Sequence, residues 1–564
     1  MKQKTQVSWR PSINKAMWPY LIVIFPILSF LSIIRENKPL SNSMSGMPWS
    51  DAVGWRSCSA SLAEYGTLPS GGVEEFCLRR PIFPFFLGMV KFFLRNDGLV
   101  LTFLLVLFII ALSLFMKSII ENGLVFFGML ISGIAIVKWN SYGAGQFMTE
   151  SIGIIISLLI IRSSISYLHS FSHHHFVVLL FYVVLLDLVR PSDPFFKFLI
   201  VGFYLMTTVG LREKMYGLIS SLIFIFIFPN LLKVVGSIIG YEQFLTKGNN
   251  WAIMYGLVNG NQNYHFSESI RSEYPQMSEI EFWEILKSES IRMILNDPFV
   301  LIKPVIANMT DVIKNLDRVV FTANSSSETK YFLSLLFGLS IVTIIIACLF
   351  RIKLTSFSKM ETVFYLKQQV FSILMLLSPL MGYSISYLND AQRTNSASLI
   401  YGIGGYLFAI LNVFGKLGGT DKDKVTAIKQ IRNFNTRDWI HPGSVAIILI
   451  VTVLFAPIGK ELPESGAIKC ERAGSFRVIP ESILIKRVAD ITLEEKFPWY
   501  FNAADLHTGY LIEGHYLVGG KIFHGSFYLN SNKMEEVNAC LEIIELNPNQ
   551  SSAQLGFTEV RVSS

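Results

Sequence analysis

"QFMTESIGIIISLLI", residues 146–160, sets a threonine and an acid directly in front of an apolar run. A helix of roughly 18 to 20 apolar residues, rising about 1.5 Å each, crosses the hydrocarbon core of a bilayer. The stretch therefore reads as the start of a transmembrane span. Thr149 caps it and Glu150 occupies its first turn, where the helix dipole favours an anion. Ionisable groups beside hydrocarbon are costly unless paired or used, so Glu150 is either part of that cap or a working acid. Similar runs recur from Trp18–Ile34 to Val445–Pro457, about eleven in all by length and apolarity.

Composition agrees with a polytopic α-helical membrane protein. Of 564 residues 51% are hydrophobic, 13% aromatic and only 16% charged, too apolar for a soluble chain of this size. Orientation follows from the basic residues, because cytoplasmic loops keep Lys and Arg. Lys2, Lys4, Arg10 and Lys15 hold the amino terminus inside. Threading the spans from there puts Lys117, Arg162, Arg212 with Lys214, Arg351 with Lys353 and Lys359, and the segment from Lys416 to His441 on the same inner side. The net charge of +7 is thus mostly a topology signal, and nucleic-acid binding has little support. "SFLSIIRENKP" offers no small-x-small cleavage site, so the first span reads as an uncleaved anchor.

On this threading the non-membrane mass lies outside, in a first loop from Arg35 to about Arg80, a long loop from about Tyr241 to Lys330 and a tail from Gly459 to Ser564. No inside segment approaches the roughly 100 residues of a nucleotide-binding domain, and no G-x-x-x-x-G-K-[ST] phosphate loop occurs. ATP and cytosolic nucleotide sugars are poor candidates for a direct substrate. Cys58 and Cys77 fall in the first loop and Cys470 and Cys540 in the tail, while Cys348 lies in a span. Two pairs in an oxidising compartment suggest two disulfides, the first worth about 3 kcal/mol in the chain-entropy account; four free thiols are the alternative.

Patterning divides the outer pieces further. "PIFPFFLGMVKFFLRND", broken by Pro81, Pro84 and Gly88, reads as a short, partly inserted or interfacial helix. "SEIEFWEILKSESIRMILNDPFVLIKPVIANMTDVIKNL" places Phe282, Ile285, Leu286, Ile291, Ile294 and Leu295 at helical spacing, which predicts two surface helices parted near "NDP". The tail turns to short β-branched runs such as "GYLIEGHYLVGGKIFHGSFYLN", predicting a small β-rich domain over 459–564 beside a transmembrane domain over 1–458. It is either a passive lid or assembly module, or a sugar binder through Tyr510, Tyr516 or His524.

Candidate chemistry gathers at the outer mouths of the spans. In "SDAVGWRSCSASLAEYG" a helix would line up Asp51, Trp55, Cys58, Leu62 and Tyr65, pointing an acid and aromatics into a cavity, unless Asp51 is only a cap. Arg79 and Arg80, in "CLRRPIFPF", either clamp a phosphate or snorkel to lipid headgroups. Arg393, in "YLNDAQRTNSASL", is a cation between two late spans; Arg190, in "LVRPSDP", is similar or simply pairs with Asp187. His173, His174 and His175 are adjacent in an inside loop, where three neighbours on a regular helix cannot share one metal ion. "GNNWAIMYGLVNGNQNY", with Trp251 and Tyr255, suits hydroxyl recognition and stacking, or is an ordinary loop.

Taken together, "AVGWRSCSASLAEYGTLP" behind Asp51, Arg-Pro before a proline-broken helix, "QFMTESIGIIISLLI", "NNWAIMYGLVNGN", "ILNDPFVLIKPV" and "NDAQRTNSASLIYGIGGYLF" resemble the C-type membrane glycosyltransferases. Within that class the chain is similar to bacterial relatives of the protein O-mannosyltransferases and the lipid A aminoarabinose transferase, over about Trp18 to Gly415. It departs from them where Asp51 follows Ser50 instead of a second acid, and where Arg79-Arg80-Pro81-Ile82 stands in place of Glu-Lys-Pro-Pro.

The resemblance implies sugar transfer from a polyprenyl-phosphate donor to a glycan, lipid or protein acceptor at the extracytoplasmic face of what would be a bacterial inner membrane. Asp51, with Glu150 as a second acid, would serve catalysis; Arg79, Arg80 and Arg393 would hold the leaving phosphate, and Trp55, Trp251 and Tyr255 the substrate. Cations can do this without a metal ion, so no metal cofactor is required. The rival readings are a lipid or sugar transporter, which would show repeats and midplane broken helices, a ligase or polymerase using diphosphate-linked glycans, and an assembly protein.

Overall fold

The computed structural model describes, with short gaps, residues 51–68, 77–315, 359–386 and 395–413, and strands between 475 and 562. The expected spans Trp18–Ile34 and Val445–Pro457 and the one holding Cys348 lie outside the described residues, as do Arg393 and Cys470.

The chain begins its described course with α1 (Asp51–Tyr65) and α2 (Ile82–Leu94). Trp55, Cys58 and Leu62 recur at helical spacing and all three are buried. They pack on α2, where Gly88 permits close approach: a Cβ there would sit 2.9 Å from that of Leu62. Trp55 meets Phe83 edge-on at 5.7 Å. These three side chains are packed against a neighbour instead of lining a cavity, while those of Asp51 and Tyr65, expected on the same face, lie outside the described residues. α2, read as interfacial, is buried along Ile82–Phe85 and at Leu87, Gly88, Val90 and Lys91. The disulfide Cys58–Cys77, with Cα atoms 5.8 Å apart, ties α1 to the turn before α2.

Next come α3 (Asp97–Glu121), α4 (Val125–Tyr142), α5 (Thr149–Ser170), α6 (His173–Val189) and α7 (Phe196–Thr207). α8 (Leu211–Leu222) continues through a π-helical turn, Ile223–Ile227, into α9 (Phe228–Ile238). Among the described residues five helices are long and apolar enough to cross a membrane: Gly98–Ile120, Thr149–Ser170, Leu211–Ile238, Thr362–Ser386 and Ser396–Val413. Four shorter apolar helices accompany them. This is the make-up of a helical membrane protein.

Small residues let the helices close on one another, as they do where no water drives association. α5 packs on α14 (Ser396–Val413), and α14 on α13 (Lys359–Ser386). Ser157 of α5 donates to the Ala397 carbonyl at 2.7 Å. A Cβ at Gly405 would lie 2.7 Å from the Ser372 carbonyl oxygen, so only glycine fits that crossing unchanged.

The segment after α9 holds α10 (Gly248–Val258), α11 (Glu279–Asn296) and α12 (Ile302–Lys314). The break between α11 and α12 falls at "NDP", where Asp297 accepts the Phe299 amide at 2.9 Å and Pro298 opens a short 3-10 turn. In the tail, β1 (Ser475–Val478), β2 (Leu484–Ala489), β3 (Thr508–Val518), β4 (Lys521–Leu529), β5 (Val537–Glu545) and β6 (Gln554–Val562) make one antiparallel sheet. β3 pairs with β4 from Tyr510↔Leu529 to Val518↔Lys521, and with β2 and β1 on its other edge. Cys540 lies in β5 opposite Arg477 and Glu559.

Candidate functional site: buried charges at one end of the bundle

α5 begins where α6 ends, and their facing termini carry the charge. Arg190 Nη2 lies 2.9 Å from Glu150 Oε1, with the two side chains 2% and 0% exposed. Arg190 Nη1 also donates to Thr149 Oγ1 at 2.8 Å. Arg80 Nη1 reaches the same oxygen at 3.3 Å, and the Thr149 hydroxyl donates to Glu150 Oε2 at 3.2 Å. Local sequence explains the aim of Arg190. Proline follows it, which disfavours the helical conformation, and Arg190 leaves α6 with φ −147° and ψ 97°. Its side chain is thereby turned off the α6 axis toward α5.

Sequence reading offered Asp187 as the partner of Arg190; the structure pairs Arg190 with Glu150. Asp187, one turn earlier on α6, bonds Lys197 of α7 instead. Between them Asp193 is buried and accepts from Ser378 Oγ at 2.7 Å, from the Phe195 and Phe196 amides at 3.1 and 3.3 Å, and from the Tyr401 hydroxyl. Burial pushes the Asp193 carboxyl above the ordinary range, opposed by those hydrogen bonds. Asp193 thus joins the start of α7 to α13 and α14. Neither Asp193 nor Lys197 was singled out by sequence reading. The available signal was charge recurring every three or four residues through "LLDLVRPSDPFFKF", between apolar runs.

The adjacent arginines diverge. Arg79 lies 5.5 Å from the centre of the Trp283 ring, on α11, while Arg80 turns to Thr149. A clamp made by both on one phosphate is not the arrangement seen. Arg80 and Glu150 do come together, through Thr149. Asp51 opens α1, its side chain lying outside the described residues. Trp55 is packed in the core. Trp251 and Tyr255, in a segment open to a loop reading, lie on α10 beside the cluster of Ala252, Phe282 and Leu286, and Tyr255 stacks on Phe266 at 6.0 Å.

The turn after α10 is joined to α12 by a reciprocal amide pair, Asn261 with Asn308, at 2.8 and 2.9 Å, and Asn308 donates to the Ser384 carbonyl of α13 at 2.8 Å. At the opposite end of α5 and α6, His175 Nδ1 bonds Ser170 and Ser172 at 2.7 and 2.9 Å, and His173 Nδ1 bonds Tyr204 at 3.2 Å. These two histidines serve the α5–α6 turn and its neighbour α7. No protein-family model matches the chain, and no curated protein or solved structure shows significant similarity to it.

Proposed function

We propose that the protein is a membrane glycosyltransferase that moves a sugar from a polyprenyl-phosphate donor to a glycan, lipid or protein acceptor at the extracytoplasmic face. The observation that carries this reading is a polar cluster at one end of an apolar bundle, in which Glu150 and Arg190 are a buried charge pair and the half-buried Arg80 joins them through the Thr149 hydroxyl. Charge is kept beside hydrocarbon where it is paired or used, and a lipid-linked anion is a substrate that arrives there. The resemblance of the motifs around Asp51, Arg80 and Glu150 to the C-type enzymes points the same way.

In the proposed reaction the Asp51 carboxylate takes the proton of an acceptor hydroxyl while that oxygen attacks the anomeric carbon. The bond from that carbon to the phosphate oxygen breaks, and polyprenyl phosphate leaves with the charge that Arg80 and Arg393 stabilise. Trp251 and Tyr255 would bind substrate from the long loop. The full architecture belongs to the same proposal: about eleven spans over 1–458, a cytoplasmic amino terminus in a bacterial inner membrane, a second disulfide Cys470–Cys540, and an extracytoplasmic β-rich domain over 459–564.

Asp51→Asn tests the chemistry, because asparagine keeps the size and cannot take the proton. With purified protein and radiolabelled polyprenyl-phosphate sugar, transfer should fall by about 10² to 10⁴-fold while donor binding and thermal stability stay unchanged. Transfer at the wild-type rate would reduce Asp51 to a helix cap. Movement of the labelled lipid across proteoliposomes with no sugar transferred would favour a transporter.

A further inference from the structure

We infer that Thr149, Glu150 and Arg190 form a buried positioning set whose task is to fix the guanidinium of Arg80, and that Glu150 is a positioning residue instead of a proton acceptor. A threonine hydroxyl has one proton to give and two lone pairs to offer. Thr149 gives its proton to Glu150 Oε2 and accepts from Arg190 at 2.8 Å and Arg80 at 3.3 Å. Every capacity of the hydroxyl is used, so its direction is set. Glu150 sets it from one side and is itself held by Arg190 Nη2 at 2.9 Å. Buried completely and paired with a guanidinium, Glu150 is placed to orient, not to meet an acceptor.

Arg80 is the half-buried member of the group. Its backbone is held on both sides: the disulfide at Cys77 lies three residues before it, and the Phe83 amide donates to the Arg80 carbonyl at 3.1 Å as α2 begins. The side-chain rotamer is left to the contacts of the guanidinium, and Thr149 supplies one that directs it toward α5. A guanidinium already held in one rotamer loses less freedom on meeting an anion. Resting on the proposed donor, the ligand fixed by Arg80 would be the phosphate of a polyprenyl phosphate. Arg79 is turned instead onto Trp283.

The test uses full-length protein in detergent and two readouts. Phenylglyoxal modification of Arg80, mapped by peptide mass, needs no ligand: Thr149→Val should speed it, Thr149→Ser should not, and Arg79 in the same peptides reports any general loosening. Binding of undecaprenyl phosphate, against undecaprenol and inorganic phosphate, separates lipid-borne from free phosphate. Thr149→Val should weaken it about tenfold, Thr149→Ser less than about twofold, and Arg80→Ala with Thr149→Val no more than Arg80→Ala alone. Should Thr149→Val not fold, Arg190→Lys keeps the charge but cannot fork between Glu150 and Thr149, and should also speed modification of Arg80. Unchanged Arg80 reactivity in the folded variant, or losses that simply add, would overturn the positioning role. Faster Arg80 modification with no binding of undecaprenyl phosphate by wild type would leave the positioning intact and sink the donor reading.

Discussion

Arg190 carries its charge at 2% exposure, and a charge so placed persists because Glu150 neutralises it and Thr149 takes a further N–H. Removing one partner should cost far more than removing both, since the survivor is left as an uncompensated buried charge. Arg190→Met should lower stability by roughly 3–5 kcal/mol, and adding Glu150→Leu should recover most of that loss. Thermal melts in detergent measure both. Equal melting of the two variants would mean that solvent reaches the pair. Glu150 was legible in the sequence because an acid opening an apolar run stands out. Its partner was not, because Asp187 is closer to Arg190 along the chain and only the extended exit of Arg190 from α6 decides between them.

The helices pack through their smallest residues. An added Cβ at Gly405 would stand 2.7 Å from the Ser372 carbonyl oxygen and 2.8 Å from the Leu376 amide nitrogen, both backbone atoms that cannot rotate away. Gly405→Ala should therefore part α13 from α14 and cost about 1–3 kcal/mol, read as a lowered midpoint in a detergent melt. Gly202→Ala on α7 is the control, because a Cβ there meets nothing within 4 Å. Matching midpoints for both variants would show that the α13–α14 crossing relaxes freely. The α11–α12 break was readable from "NDP", since an Asx cap and a proline act locally. The burial of α2 was not, since short apolar helices look alike whether they meet protein or lipid.

For the molecule as a whole, topology is the decisive measurement. Reporter fusions after Asn37, Lys424 and Ser564 should read outside, inside and outside, as the Lys and Arg bias requires. A cytoplasmic tail would reverse the orientation and remove the oxidising compartment expected for Cys470 and Cys540. Alkylation before and after reduction checks the thiols independently. Cys58 and Cys77, joined at a Cα separation of 5.8 Å, should take label only after reduction, as should Cys470 and Cys540 if they pair.

By itself the sequence determined the class of protein, the approximate limits of many helices, the α11–α12 break and the polar residues worth watching. These depend on composition, on hydrophobic runs and on caps acting within a few residues. Tertiary structure alone decided which charge meets which: Glu150 with Arg190, Asp187 with Lys197, Asp193 with Tyr401 and Ser378, Arg79 with Trp283 and Arg80 with Thr149. Most of these contacts tie a helix to a turn or helix end from elsewhere in the chain, so side-chain direction and packing select them. Neighbouring residues such as Arg79 and Arg80 can then end on different partners, because a side chain long enough to cross between elements is aimed by the packing around it.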